Sequence, residues 1–390
     1  VRDFSYKSQV VSEGINGVIF WRYTDDHWQR LHKGTISEWV EKKTRGFVSS
    51  GEVVEFIGKA SRCQMLEADF FEGSTRNYKQ FRNCVLDMRS GEVLVPAPEL
   101  GVINVIPHIY KKDATCPRWD KYLEDVCEGD FDKIKILNEF LGYILFSDRN
   151  WIAKALMLVG SGGNGKSVYI DTVKSIVGDD NCTSFRVEQL NHEYTYASLD
   201  NKLLNACGEV SYKALRDTSG FKDLVSGGKI TGRAAYEPTR TCTIRAKFIL
   251  SLNEAPELYD QSIGFGRRPL IVEFNKRFDN AAGCDPRLTE KLITETPGII
   301  SKALSAYKDL QERGDFFESE KTRQEKEKFL RGSNDISEFV AAYFEKGASE
   351  EFVRSSTILA MVKMYCENEN IDVRRFHIKR LCGMQRENRY

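Results

Sequence analysis

Residues 154–177 read KALMLVGSGGNGKSVYIDTVKSIV, and the reading of this stretch governs everything around it. An apolar run, a glycine-rich loop and a run with Val168, Ile170, Val173 and Val177 at helical positions predict a strand, a tight loop and a helix. Gly160 to Ser167 fit G-x-x-x-x-G-K-[ST]. Glycine reaches backbone conformations closed to other residues, so several N–H groups can converge into a nest at a helix N-terminus, where a polyphosphate is held. The candidate contacts are Gly160, Ser161, Gly162, Gly163, Asn164, Gly165, Lys166, Ser167 and Val168. Lys166 is expected to reach the β- and γ-phosphate oxygens, the Ser167 hydroxyl to ligate Mg²⁺, and Gly162 and Asn164 to keep the loop narrow. ATP and Mg²⁺ are therefore the expected cofactors. The bland alternative is a glycine-rich turn that binds nothing; the flanking strand and helix argue against it.

Hydrolysis needs a carboxylate at the end of a neighbouring strand. KLLNACGEV, 202–210, supplies Glu209, read as base and metal partner, or as a solvated strand-end glutamate. Gly208 stands where many ATPases carry an aspartate, which removes one carboxylate from the metal. KFILSLN, 247–253, ends in Asn253, whose amide can sense the γ-phosphate and the attacking water. GFGRRPLIVEF, 264–274, places Arg267 and Arg268 before another strand. Such arginines are either plain surface charge or a finger that stabilises charge in a neighbouring subunit's site.

The rest of the chain limits the alternatives. Its 390 residues are 41% hydrophobic and 29% charged, with a formal net charge of zero. That balance suits two or three soluble domains and excludes blanket electropositivity, so any nucleic-acid contact is local. No apolar run approaches the roughly 20 residues of a membrane span, and VRDFSYKSQV lacks the apolar core of a secretory signal. A cytoplasmic protein is expected, and Val1 in place of a methionine points to a longer protein. The ten cysteines include no C-x-x-C pair and are expected reduced and mostly buried. The five dispersed histidines, His32 and His108 among them, suggest structure rather than a metal site.

Along the chain, GVIFWRYTDDHWQRL predicts two aromatic strands about a Thr-Asp-Asp turn, and ISEWVEKK a helix. FRNCVLDMRSGEVLVPAPEL, 81–100, predicts two strands joined at Arg89-Ser90-Gly91. Leu123, Val126, Ile134, Leu137, Phe140, Leu141 and Ile144 mark two amphipathic helices split near Gly129-Asp130. From 154 to 275 short apolar runs alternate with helical segments, as in a parallel sheet with crossover helices. ESEKTRQEKEK, 318–328, reads as a solvated helix face.

The series GSGGNGKS, GEV, FKDLVSGGKITGRAAYE, KFILSLNEAP and GRRPLIVEF resembles the motor of superfamily three helicases, in the branch found in phage and plasmid primases. FRNCVLDMRSGEVL, TCPRWDKYLEDV and FLGYILF resemble the region preceding that motor. The likeness covers about 75–390 and is strongest over 154–275. It implies an AAA+-like P-loop ATPase core with a parallel sheet, assembled as a ring, usually a hexamer, around single-stranded or forked DNA and moving 3′ to 5′. It also implies a C-terminal helicase portion of a phage primase-polymerase, with an upstream domain in the same protein, acting in the cytoplasm of a phage-infected or plasmid-bearing bacterial cell.

Carried over by position, Glu209 belongs to the Walker B motif, Asn253 is the sensor, Arg267 the finger and Arg268 its fallback. The family's channel hairpin falls on KITGRAAYEPTRTCTIRAKFIL around Glu237-Pro238-Thr239-Arg240, with Arg240 as candidate DNA contact, then Tyr236 and Lys229. Glu237 departs from the basic tip common in the family, and an ordinary solvated turn is the alternative. The domain expectation is an N-terminal α/β region over 1–115, a helical oligomerisation or linker region over 116–150, the motor over 151–331 and a winged-helix-like domain over 332–390. That last segment is locally basic through Arg374, Arg375, Lys379, Arg380, Arg386 and Arg389. A P-loop kinase has no need of the hairpin, sensor and arginine; a DNA-loading platform that uses ATP only to assemble stays open because of Gly208.

Overall fold

The computed structural model describes residues 6–10, 18–24, 26–31, 33–63, 70, 71, 77–209, 219–234, 239–253, 266–278, 285–332, 339, 343 and 354–368. The chain opens on an antiparallel sheet of β1 (Tyr6–Val10), β2 (Val18–Tyr23) and β3 (Trp28–Leu31), followed by α1 (Lys33–Lys43) and α2 (Ser50–Cys63). Phe20 and Leu31 bury against Ile36, Val40 and Val53 of the helices. The predicted turn after Tyr23 is present, with Thr24 N donating to His27 O at 2.8 Å.

A second sheet orders β4 (Tyr78–Phe81), β5 (Cys84–Asp87), β6 (Val93–Leu94) and β7 (Val105–Ile106) as β6-β5-β4-β7. Its β5–β6 turn lies at Arg89-Ser90-Gly91 as expected. The Asp87 carboxylate accepts from Arg89 N at 2.8 Å, and Gly91 takes φ +75°.

Two helices follow, α3 (Pro117–Val126) and α4 (Phe131–Phe146). Asp130 caps α4, accepting from Asp132 N and Lys133 N at 3.1 and 3.4 Å, which explains the break at Gly129-Asp130. The second helix departs from the amphipathic expectation, because it is buried on nearly every side. Two of its polar residues find partners inside: Asn138 accepts from Trp119 Nε1 at 3.1 Å, and Glu139 pairs with Arg313 at 2.7 Å. At Gly142 a Cβ would lie 2.3 Å from Ala303 O, so only glycine admits the facing helix this closely.

The central unit runs β8 (Ala155–Val159), α5 (Lys166–Val177), β9 (Cys182–Thr183), α6 (Glu193–Leu199), β10 (Leu204–Glu209), α7 (Ser219–Ser226), β11 (Gly228–Gly232), β12 (Arg240–Ile244), β13 (Lys247–Leu252) and β14 (Pro269–Glu273). Five of these strands form a wholly parallel sheet, ordered β14-β8-β13-β10-β9. β11 and β12 stand apart as an antiparallel hairpin.

Strand alternation divides the sheet between two cores. Leu156, Leu158, Ile249, Leu270 and Val272 face a cluster with α3, α4 and α5, whereas Ala155, Met157, Phe248, Leu250 and Ile271 face α6, α7 and the hairpin. Burial on both faces accounts for the continuous apolar runs in these strands. The helices expected as an oligomerisation or linker region over 116–150 thus contribute one layer of the same core. Trp119 stacks on Tyr169 of α5 at 5.8 Å, and Tyr169 donates to Leu137 O at 2.9 Å.

α8 (Leu288–Ile293), α9 (Thr296–Arg313) and α10 (Glu320–Gly332) close the unit. The charged run at 318–328 is less solvated than expected: Glu318 bridges Lys154 and Lys326, both at 3.2 Å. Beyond residue 332 the described structure is Phe339, Tyr343 and residues 354–368, which carry α11 (Ser355–Asn368). The basic run from Arg374 to Arg389, and with it the winged-helix expectation, lies outside the described residues.

The side chains of seven of the ten cysteines are described, all as free thiols. Burial pushes Cys116 and Cys127 up to about 12. Among the described residues no helix is long and apolar enough to cross a membrane, and no group of three His, Cys, Asp or Glu could hold a metal ion.

Candidate nucleotide and metal site

Ligands of open parallel sheets gather beyond the carboxyl ends of the strands. At that edge Val159 pairs with both Leu252 and Glu273, and Ser251 pairs with Glu209. Gly160 N donates to Leu252 O at 3.0 Å, so Asn253 follows directly beside the first residue of the glycine loop. β13 thereby sets the sensor candidate between the loop strand and the strand that ends in Glu209. Asn253 is exposed there.

The loop is braced from outside. Gly162, Gly163 and Gly165 take φ +101°, +61° and +91°, a left-handed run that glycine enters without strain. Asn164, 2% exposed, donates through Nδ2 to Phe274 O at 2.8 Å, and Phe278 N donates to Gly163 O at 2.8 Å. Tyr122 donates its hydroxyl to Gly165 O at 3.0 Å; its burial pushes the phenol well above the usual tyrosine range. A Cβ at Gly160 would lie 2.0 Å from Asn164 Nδ2 and 2.5 Å from Phe274 O. Tyr122, Phe274 and Phe278 escape sequence reasoning because they hold the loop from other elements, two of them through main-chain atoms.

Lys166 opens α5 and is buried, donating from Nζ to Gly160 O at 2.5 Å and to Asn164 Oδ1 at 3.0 Å. The ammonium thus sits at the loop mouth on oxygen acceptors, the same chemistry that phosphate oxygens offer. Ser167, next along the helix, is exposed and fits the role of metal ligand. The register slips between Cys207 and Glu209, which makes Gly208 a bulge residue at the end of β10. The side chain of Glu209 lies outside the described residues.

The arginine pair separates cleanly. Arg268 is buried, donates to Ser226 Oγ at 2.9 Å, and its carbonyl accepts from Ala155 N. The fallback finger is therefore a packing residue. Arg267 is exposed. It precedes β14, whereas the glycine loop follows the far end of the parallel β8; five residues of strand, about 16 Å, separate them. An arginine side chain does not span that distance, so Arg267 cannot serve its own protomer's loop.

Arg240 requires the same kind of correction. Expected at an exposed hairpin tip, it is the first residue of β12, is 8% exposed and forms an ion pair with Asp200, which also accepts from Thr243 N at 2.9 Å. Lys229 is exposed on β11, opposite Thr243. Tyr236 and Glu237 lie outside the described residues. Removing one partner of a buried pair strands the other charge. Asp200→Ala is therefore expected to lower the free energy of unfolding in urea by about 3–5 kcal/mol, with part regained in Asp200→Ala/Arg240→Met. A loss below about 1 kcal/mol together with tighter DNA binding would return Arg240 to the channel.

Two family models match the chain. "D5 N terminal like" covers 6–128, ending just before Asp130, and "Family of unknown function (DUF5906)" covers 158–268, from the end of β8 to the arginine pair. Among solved structures, the apo NrS-1 C terminal region (305-718) is similar over 94% of this chain and 80% of that one, with TM-score 0.56 and 13% identity. The A form of the same apo region is similar over 92% and 82%, with TM-score 0.55 and 13% identity. At that identity the likeness is one of fold.

Proposed function

We propose that this chain is an ATP-driven DNA motor of the superfamily three type, serving phage or plasmid replication as a ring, usually a hexamer, that moves 3′ to 5′ on single-stranded or forked DNA. The observation that carries this reading is the convergence of the glycine loop, Asn253 and the Glu209 strand end at one edge of the sheet. The exposed Arg267, beyond reach of its own loop, supports a site shared between protomers. The D5 N-terminal-like match and the fold likeness to the NrS-1 region fit a replication protein of the primase-helicase kind.

In this proposal the loop N–H groups and Lys166 grip the triphosphate, Ser167 and Glu209 hold Mg²⁺, and Glu209 takes the proton of the attacking water. The metal would supply neutralisation of the phosphate charge. Asn253 orients that water. The DNA contact is assigned to the hairpin through Tyr236 and Lys229. ATP hydrolysis measured with and without single-stranded DNA on size-separated protein tests the whole reading. Oligomeric fractions should hydrolyse ATP faster with DNA; equal rates in a strictly monomeric chain would overturn it.

A loading platform that uses ATP to assemble is favoured by one feature, Gly208. A Cβ there meets nothing within 4 Å, and its φ lies outside the left-handed region, so aspartate fits. Gly208→Asp adds a carboxylate beside the metal and is expected to lower the Mg²⁺ concentration at half-maximal ATPase rate about fivefold to tenfold. An unchanged Mg²⁺ titration would place the metal elsewhere.

A further inference from the structure

β8, which leads into the glycine loop, has β13 and β10 on one side and β14 on the other. Asn253 follows β13 and Glu209 ends β10, so a γ-phosphate turned towards them points the nucleoside the other way, over β14. The chain after β14 lies against the outside of the loop: Phe274 O accepts from Asn164 Nδ2 and Phe278 N donates to Gly163 O, both at 2.8 Å. The end of α3 closes in beside it, and a Cβ at Gly165 would lie 2.8 Å from Val126 Cγ1.

Between the turn after α3 and the segment after β14 lies an open concavity of about 460 Å³, with Cys127, Glu128, Gly129, Lys133, Asn275 and Lys321 in its lining. That is the size of a small-molecule site. Its charge turns phosphate away, because Glu128, Asp130, Asp132 and Glu325 stand against Lys133 and Lys321. Both lysines are also engaged, Lys133 Nζ with Glu273 O at 3.3 Å and Lys321 with Asp130. An uncharged heterocycle that bears an amino group suits this lining. Asn275 is exposed whereas Phe274 beside it is fully buried, so the segment that braces the loop also sets an amide at the concavity.

Resting on the nucleotide reading above, we propose that this concavity receives the nucleobase and that Asn275 is its specificity residue, selecting adenine. The amide oxygen of Asn275 accepts from the 6-amino group, and its amide N–H donates to N7. A 6-oxo purine offers two acceptors on that edge and forfeits half of the pair. The carboxylates around the concavity add to the preference for an amino-bearing base.

ATP, ITP and 7-deaza-ATP carry the same triphosphate and separate the two bonds. The whole chain should bind ATP about tenfold to a hundredfold more tightly than ITP, the discrimination of one bidentate pair, with 7-deaza-ATP between them. Asn275→Leu should bring the three affinities together, while competition by inorganic tripolyphosphate, which reports the glycine loop alone, stays as in the parent. Irradiated 8-azido-ATP should label peptides from 127–133 or 275–278 of the parent chain, whether or not the variant folds, and excess ATP should suppress the labelling. Absence of ATP binding by the parent would end the nucleotide reading and this site with it. Equal affinities for ATP and ITP in a parent that binds both, a preference that survives in Asn275→Leu, or labelling confined to other segments would overturn the base site alone.

Discussion

Lys166→Ala is expected to reduce ATP turnover by at least about 10²–10³-fold, the loss that follows removal of one preorganised donor from a developing oxyanion. In the structure the ammonium is held by Gly160 O and Asn164 Oδ1, and Asn164 is itself fixed to Phe274 O. In the proposed reaction the lysine would meet the phosphates from a scaffold already set, so that its charge is delivered with little reorganisation. Alanine removes the charge and also one partner of Asn164, so stability must be measured beside the rate. The Asn164 amide keeps its bond to Phe274 O, and the unfolding midpoint should fall by only a few degrees, roughly the effect of one lost hydrogen bond. Lys166→Arg is a poor rescue, because a buried point-charge site does not admit a planar fork. Turnover within about tenfold of the parent, with normal folding, would remove Lys166 from the chemistry and leave the loop a structural turn.

How legible the site is in the sequence depends on whether a residue acts through local pattern or through distant packing. The glycine loop, its strand and its helix lie in one stretch of chain and follow from it directly. The two-sided burial of the sheet is legible too, since continuous runs such as ALMLV carry it. Three features are not local. Arg240 reads as a tip residue until Asp200, forty positions earlier, claims its guanidinium. The helix over Phe131–Phe146 reads as amphipathic until Asn138 and Glu139 find partners on Trp119 and Arg313. The brace from Tyr122 to Gly165 depends on α3 lying against α5, which no periodicity in either segment foretells. Gly208 is the intermediate case: a glycine near a strand end suggests a bulge, but the register slip that makes it one belongs to the pairing with β13.

Arg267→Ala should lower turnover by about 10³–10⁵-fold, while Arg268→Ala should mainly destabilise. The contrast follows from their placement: the exposed side chain lies a strand's length from the glycine loop of its own chain, whereas the buried one holds Ser226. In the proposed ring a loss at Arg267 would arise across a subunit boundary, and mixing separates the two roles. Rings made from Arg267→Ala and Lys166→Ala chains contain interfaces where a loop with Lys166 intact meets a neighbour with Arg267 intact. Random assembly at equal amounts gives about one quarter of such interfaces, so activity should climb from near zero in either pure variant towards that fraction. A curve that peaks at equal mixing is the signature of a shared site, because a residue acting within its own chain cannot be rescued by a partner. Flat inactivity at every ratio, in rings that still form by size separation, would make Arg267 a surface charge, and the site would then have to draw its cation from elsewhere in the interface.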